Sequence, residues 1–236
     1  YAGAGARLAW WLLPDGMVYT VWVQVQSPAA MCGRPLVIEC HQGWTNRSTQ
    51  QWLVGLSQAD WLGGESVVLT ATAVTAVRRK TWSAVDAVMP QVPAPESVQR
   101  ATLARPIAWV QHYDMRPCAG EIPATWDGAE ADSLTQLWMR DDPPRPLDFC
   151  SLLALAAVFY PRVWRRRARM TPVGTVSMTV YFHAGAAELK ATGTGYLLGQ
   201  ARAQSFFNGF FDQSAELWNQ AGRLLATTHQ IVYFKE

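Results

Sequence analysis

The chain has 236 residues, half of them hydrophobic, with a formal net charge of +2, enough to build a real core and too nearly neutral to argue for a nucleic-acid or acidic partner. No aromatic-plus-basic RNA-binding motif is present and no run reaches about eighteen uninterrupted apolar residues, so neither a nucleic-acid interface nor a membrane span is expected. Four cysteines, Cys32, Cys40, Cys118 and Cys150, lie too far apart for a zinc site or a disulfide scaffold and read as reduced, mostly buried thiols of a reducing compartment. His41, His112, His183 and His229 show no ligand spacing with them, so no metal or redox cofactor is expected. The chain opens on Tyr1 instead of methionine, which fits a processed, truncated or partial start, a cleaved mitochondrial import segment being one explanation.

In chain order, "GARLAWWLLP" (5–14) reads as a short apolar helix ended by Pro14. Runs 16–26, 34–44, 50–58 and 65–77 are rich in β-branched and aromatic residues, separated by Gly, Pro and Asn, and are expected as strands. From Ser83 to Pro106 a Pro-containing stretch without periodicity reads as a linker. Beyond it, 107–116 and 133–140 are strand candidates, and 146–164 reads as one buried helix opening near Asp148, whose carboxylate suits a helix N-terminus. "TVSMTVYFHA" (175–184) alternates, with Val176, Met178, Val180 and Phe182 on one side and Thr175, Ser177, Thr179 and Tyr181 on the other. Strands over 193–206, 209–219 and 219–234 complete the set, the last two joined by a tight turn at "NQAG". At an offset of 157 or 158 residues, 57–74 shares its turn-then-strand rhythm with 217–232, so two copies of a helix followed by a long antiparallel sheet are expected.

The runs "QHYDMRPCAG", "RPLDFCSLLALAAVFYP", "GTVSMTVYFHA" and "GFFDQSAELWNQAGRLLATTHQIVYF" resemble the double-hotdog acyl-CoA thioesterases, the group that includes bacterial thioesterase II. In the first half "TNRSTQQW" and "VVLTATAVTAVRR" match more weakly but in the right order. The resemblance implies an α+β tandem hotdog, two long helices wrapped by one curved antiparallel sheet. The first hotdog, without its opening strand, would span 1–82, the linker 83–106 and the second hotdog 107–236.

In that family an Asp on the second helix, a Thr or Ser at the start of the next strand and a Gln on the last strand hold and activate the attacking water. The resemblance places Thr175 on the hydroxyl position and Gln230 on the amide. A hydroxyl and an amide can orient a water but cannot take its proton near neutral pH, so a carboxylate is required. Here the sequence departs from the pattern. "LALAAVFYP" puts Ala157, or with a one-residue shift Val158, where the Asp belongs. Asp148 lies nine residues before Ala157, roughly 13 Å along a helix, and Asp212 and Glu216 sit on a strand. At the position matching Gln230 the first copy offers a residue near Ala73, and Gly3 and Gly5 read as the remnant of a glycine turn that would present N–H donors to an oxyanion.

The remaining polar features carry open alternatives. Arg165, Arg166 and Arg167, with Arg162 and Arg169 beside them, suit either the phosphates of coenzyme A or an acidic neighbouring protein, or form a solvated loop. His229 should face away from Gln230 as a structural or exposed imidazole, and His183 has no clear catalytic duty. Twelve tryptophans, with Trp10, Trp11 and Trp61 among those that cannot all turn inward, favour a partner surface through self-association or other subunits. Two functions follow. One is a degenerate, thioesterase-like structural or acyl-thioester-binding subunit of a larger assembly, with a coenzyme A thioester as ligand. The alternative is an active acyl-CoA thioesterase whose water is held by Thr175 and Gln230 and whose base comes from elsewhere.

Overall fold

Strands with an apolar residue at every second position bury one face and leave the other to water, and here they do so in one continuous antiparallel sheet. The computed structural model describes residues 18–25, 36–59, 64–102 and 108–236. The first four strands are β1 (Val18–Val25), β2 (Leu36–Thr45), β3 (Thr49–Ala59) and β4 (Glu65–Ala76). After the linker come β5 (Tyr113–Ala119), β6 (Thr135–Asp141), β7 (Val173–Phe182), β8 (Leu197–Arg202), β9 (Phe206–Phe207), β10 (Phe210–Asn219) and β11 (Leu224–Phe234). Their order across the sheet is β2-β3-β4-β1-β7-β11-β10-β8-β6-β5, with β9 paired to β10. From the β1–β7 seam outward, β1-β4-β3-β2 on one side mirrors β7-β11-β10-β8 on the other.

The mirroring extends to register. A bulge interrupts the β1–β4 ladder, where Val18 pairs Thr75 and Thr20 pairs Val74. A second bulge interrupts the β7–β11 ladder, where Thr175 pairs Val232 and Ser177 pairs Ile231. Each residue of the second set lies 157 after its counterpart in the first, one of the two offsets that the sequence rhythm suggested.

The strand expectations for the first half hold to within one or two residues. The helix expected over 5–14, with Gly3, Gly5, Trp10, Trp11, Trp61 and Cys32, lies outside the described residues. In the second half, 108–112 is a 3-10 turn and the strand begins only at Tyr113. The single helix expected over 146–164 is instead two short ones, α1 (Phe149–Leu155) and α2 (Arg162–Arg167), so the long second helix is not present. Pro161 explains the break. It has no N–H to give, its ring clashes with the carbonyl four residues back, and it drives Tyr160 out of helical conformation. A third helix, α3 (Ala186–Thr192), went unread in the sequence; Glu188 caps it by accepting from the Gly185 N–H at 2.8 Å.

Asp148 does cap α1, accepting from the Ser151 N–H at 2.7 Å, while Arg145 bridges Asp148 and Asp141 at 3.0 Å each. All seven residues of α1 are buried, and the chain continues inward as Phe159, which descends onto β8 at Gly199. A Cβ at that glycine would lie 2.5 Å from Met139 Cε and 2.6 Å from Phe159 Cζ, so only glycine admits the ring.

The linker has no strand or α-helix among its described residues, only a 3-10 turn at Pro95–Ser97. It is nevertheless fastened down. Trp138 Nε1 donates to the Pro93 carbonyl at 2.8 Å, Arg116 Nη1 to that of Pro95 at 2.9 Å, and Met89, Val92 and Val98 pack on Trp138, Tyr196 and Leu198. Beneath lies Asp114, which accepts from Arg116 Nε at 3.1 Å and from the Tyr196 hydroxyl. Of the described cysteines only Cys150 is buried; Cys40 is exposed and Cys118 half-buried. Cys40 stands on the edge strand β2, whose described residues are exposed almost throughout, Glu39 to Gly43 included, which is why the expectation of mostly buried thiols fails.

Candidate functional site

Along β11 the inward residues are Ala226, Thr228, Gln230, Val232 and Phe234, and along β10 they are Phe211, Gln213, Ala215 and Leu217. The apolar members fall into two clusters. Ala215, Leu217 and Ala226 join Met178, Val180, the apolar residues of α1, and Ala156, Val158, Phe159 and Tyr160 in the main core. Phe211, Val232 and Phe234 pack instead with Val163 of α2. Between the clusters the sheet presents Gln213, Gln230 and Thr228, at 2%, 6% and 4% exposure. The chain crosses from one cluster to the other between Tyr160 and Val163, so this polar seam lies where α1 gives way to α2.

Thr175 reaches the seam because of the β7 bulge. By simple alternation it would share the outer face with Ser177 and Thr179, as the sequence pattern indicated. The extra residue in β7 shifts the phase, so that Thr175 pairs Val232 and turns to the face of Gln230. Its hydroxyl then donates to Gln230 Oε1 at 3.3 Å. The structure thus brings together the two residues singled out in the sequence. In this arrangement the Gln230 amide keeps its N–H donors and Thr175 Oγ keeps its lone pairs, so the pair can both donate to and accept from a third polar atom.

Among the described residues no carboxylate hydrogen-bonds to either. Asp212 accepts the backbone N–H groups of Gln204 and Ser205 at 3.0 and 2.8 Å, and Glu216 accepts Gln200 Nε2 at 3.2 Å. Asp148 is occupied as the α1 cap. The two positions where a base was sought differ sharply: Ala157 is exposed just past α1, its N–H bonded to the Ala154 carbonyl, whereas Val158 is 1% exposed within the main core. Only Ala157 has room for an ionised side chain.

Gln213 was not anticipated. It pairs directly with Gln230 across the β10–β11 ladder, and its Nε2 has no hydrogen-bond partner among the described residues; nor has the Thr228 hydroxyl. The signal was available, since Phe211, Gln213, Ala215 and Leu217 alternate inward and the one polar member breaks the series as Gln230 does on β11.

His229 is exposed on the opposite face from Gln230, its Nδ1 3.0 Å from Ser214 Oγ, as expected. His183 Nε2 lies 3.0 Å from Thr227 Oγ1. Arg162 is fully buried and is no phosphate ligand: it donates to the carbonyls of Tyr160 and Ser133 and to Thr135 Oγ1. Burial, with the charge of Arg165 nearby, presses its guanidinium down to about 9. Arg165, Arg166 and Arg167 each face a local carboxylate, Asp132 at 3.7 Å, Glu130 at 2.8 Å and Glu236 at 2.6 Å. Among the described residues no group of three His, Cys, Asp or Glu could hold a metal ion, and no helix is long and apolar enough to cross a membrane. Trp218 is core at 1% exposure, while Trp82 stands 88% exposed.

Residues 86–234 match the family model for the acyl-CoA thioesterase C-terminal domain, and the chain belongs to this thioesterase II-like hotdog family. A conserved protein of unknown function with a hotdog fold, from Alicyclobacillus acidocaldarius, is 42% identical with a TM-score of 0.89, over 100% of this chain and 86% of that one. The TesB protein of Mycobacterium avium subsp. paratuberculosis is 18% identical, TM-score 0.77, over 98% and 84% of the two chains. The acyl-CoA thioesterase II TesB2 of Mycobacterium marinum is 18% identical, TM-score 0.71, over 98% and 87%. These last two share the fold. No curated protein matches the chain.

Proposed function

We propose that the protein is a tandem hotdog that binds an acyl thioester of coenzyme A in its second half and hydrolyses it at most slowly. The mirrored strand order and the bulge repeated 157 residues apart support the tandem reading. One observation carries the functional reading: Thr175 and Gln230 meet at 3.3 Å on a buried seam with no carboxylate bonded to either among the described residues. A water or thioester oxygen can be held there, but the proton must leave the attacking water, and neither group takes it near neutral pH. Without a base the site binds and positions. Such a protein serves as an acyl-thioester-binding subunit, alone or in an assembly.

The test is direct. The purified chain should bind hexanoyl-CoA or palmitoyl-CoA in calorimetry while thiol release stays at background. Robust release that collapses in Gln230→Ala would overturn this reading. The survival of the Thr175–Gln230 pair favours a second one, an active thioesterase whose base is supplied by another chain. Turnover that appears only in the native assembly, and is lost on dissociation, would select it.

A further inference from the structure

The buried amide of Gln213 is an unspent donor. It sits at 2% exposure on the inner face, directly across the ladder from Gln230, and its Nε2 meets no acceptor among the described residues. A buried N–H without a partner destabilises the fold, and an apolar residue would continue the series of Phe211, Ala215 and Leu217. The Thr228 hydroxyl, diagonal to it on β11, is likewise unpartnered and buried. The two side chains, unpartnered among the described residues, therefore lie together beside the Thr175–Gln230 pair, in the polar break between the two apolar clusters.

A thioester bound there offers one strong acceptor near the reacting carbon, its carbonyl oxygen; the thioester sulfur is a poor acceptor. Thr175 and Gln230 are joined through Gln230 Oε1, which leaves the Gln230 N–H donors and the Thr175 lone pairs to hold a water, whereas Gln213 Nε2 is a further buried donor with no partner among the described residues. We propose that Gln213 is the binding residue that donates to the acyl carbonyl oxygen, next to the position that Thr175 and Gln230 define. This rests on the reading of the seam as a thioester site.

The experiment compares ligands with and without that oxygen. Hexanoyl-CoA and palmitoyl-CoA are each paired with the S-alkyl-CoA thioether of equal chain length, which keeps the coenzyme and the chain but lacks the carbonyl. Calorimetry on the wild-type chain should show each thioester bound about five- to ten-fold more tightly than its thioether, the worth of one buried hydrogen bond. Gln213→Met should erase that preference by weakening the thioester alone, with the melting temperature unchanged or higher. Gln213→Asn, which keeps an amide but withdraws it by one carbon, should also lose the preference and guards against a folding failure of the first variant.

If both ligands weaken equally in Gln213→Met, or neither changes, Gln213 does not hold the carbonyl and the reading of the site survives. If the wild-type chain binds neither ligand of either pair, the thioester reading fails and takes this assignment with it.

Discussion

The inner faces of the two halves share strand order, register and bulge, yet carry different chemistry. Where the second half has Gln230 and Gln213, the equivalent register positions of the first half hold Ala73 and Trp52. The indole N–H of Trp52 donates to Thr75 Oγ1 at 3.1 Å, satisfying both groups locally. The second half leaves Gln213 Nε2 and the Thr228 hydroxyl without a partner among the described residues. A duplicated scaffold therefore need not carry a duplicated site. One half can be filled for stability while the other retains polar groups that packing alone does not explain.

The sharpest way to break the comparison is to supply what the second half lacks. Ala157→Asp places a carboxylate at an exposed position past α1, and acyl-CoA hydrolysis by thiol release should rise about 100-fold, the usual worth of a positioned general base. Adding Gln230→Ala should remove the gain. An unchanged rate would mean that residue 157 does not face the Thr175–Gln230 pair.

Next in size is a transplant in the opposite direction. Ala73 is 1% exposed in the main core, so Ala73→Gln buries a bulkier, unmatched amide and should cost about 2 kcal/mol in urea unfolding. Gln230→Met, by contrast, should lie within about 1 kcal/mol of wild type, since it removes one hydrogen bond and leaves a hydroxyl free to rotate. Similar losses for the two would argue that the halves are filled by the same rules after all.

A smaller, pH-dependent effect belongs to the second half alone. Burial by itself would raise the Asp114 carboxyl, but hydrogen bonds from Arg116 and Tyr196 and the charges of Arg116 and Arg100 outweigh it and hold the group below its ordinary value. A carboxylate with a lowered folded-state value stabilises fully above the ordinary value near 4 and loses that contribution as pH falls through the lowered one. Asp114→Asn should therefore melt below wild type at neutral pH, with the gap closing under about pH 4.

Much of this was legible in the residues. β-branched runs between turn residues located β1 to β4, β10 and β11, and the Asp148 cap was read correctly because its side chain acts within one turn. Gln230 stood out as an amide in an apolar strand, and Gln213 could have been found by the same logic. The break at 156–161 was written in Pro161 but outweighed by the apolar content around it. The β7 bulge was not readable: inserting one residue into a ladder depends on the neighbouring strand, and the clean alternation of 175–184 placed Thr175 on the wrong face. Whether a polar group has a partner is likewise a property of the assembled sheet.

The strap over Trp138 and Tyr196 has a consequence for how such a chain could be divided. The anchors named for it all belong to the half that follows it, so a fragment beginning at residue 83 keeps that surface wrapped but loses β1 beside β7, the Arg78 bonds to the Phe182 and His183 carbonyls, and the first-half members of the shared core. The edge thus bared is antiparallel-competent and would seek an identical edge, restoring a continuous sheet from two equal pieces. Sedimentation at twice the fragment mass would be its signature, and a stable single copy would show that the seam between the halves is dispensable.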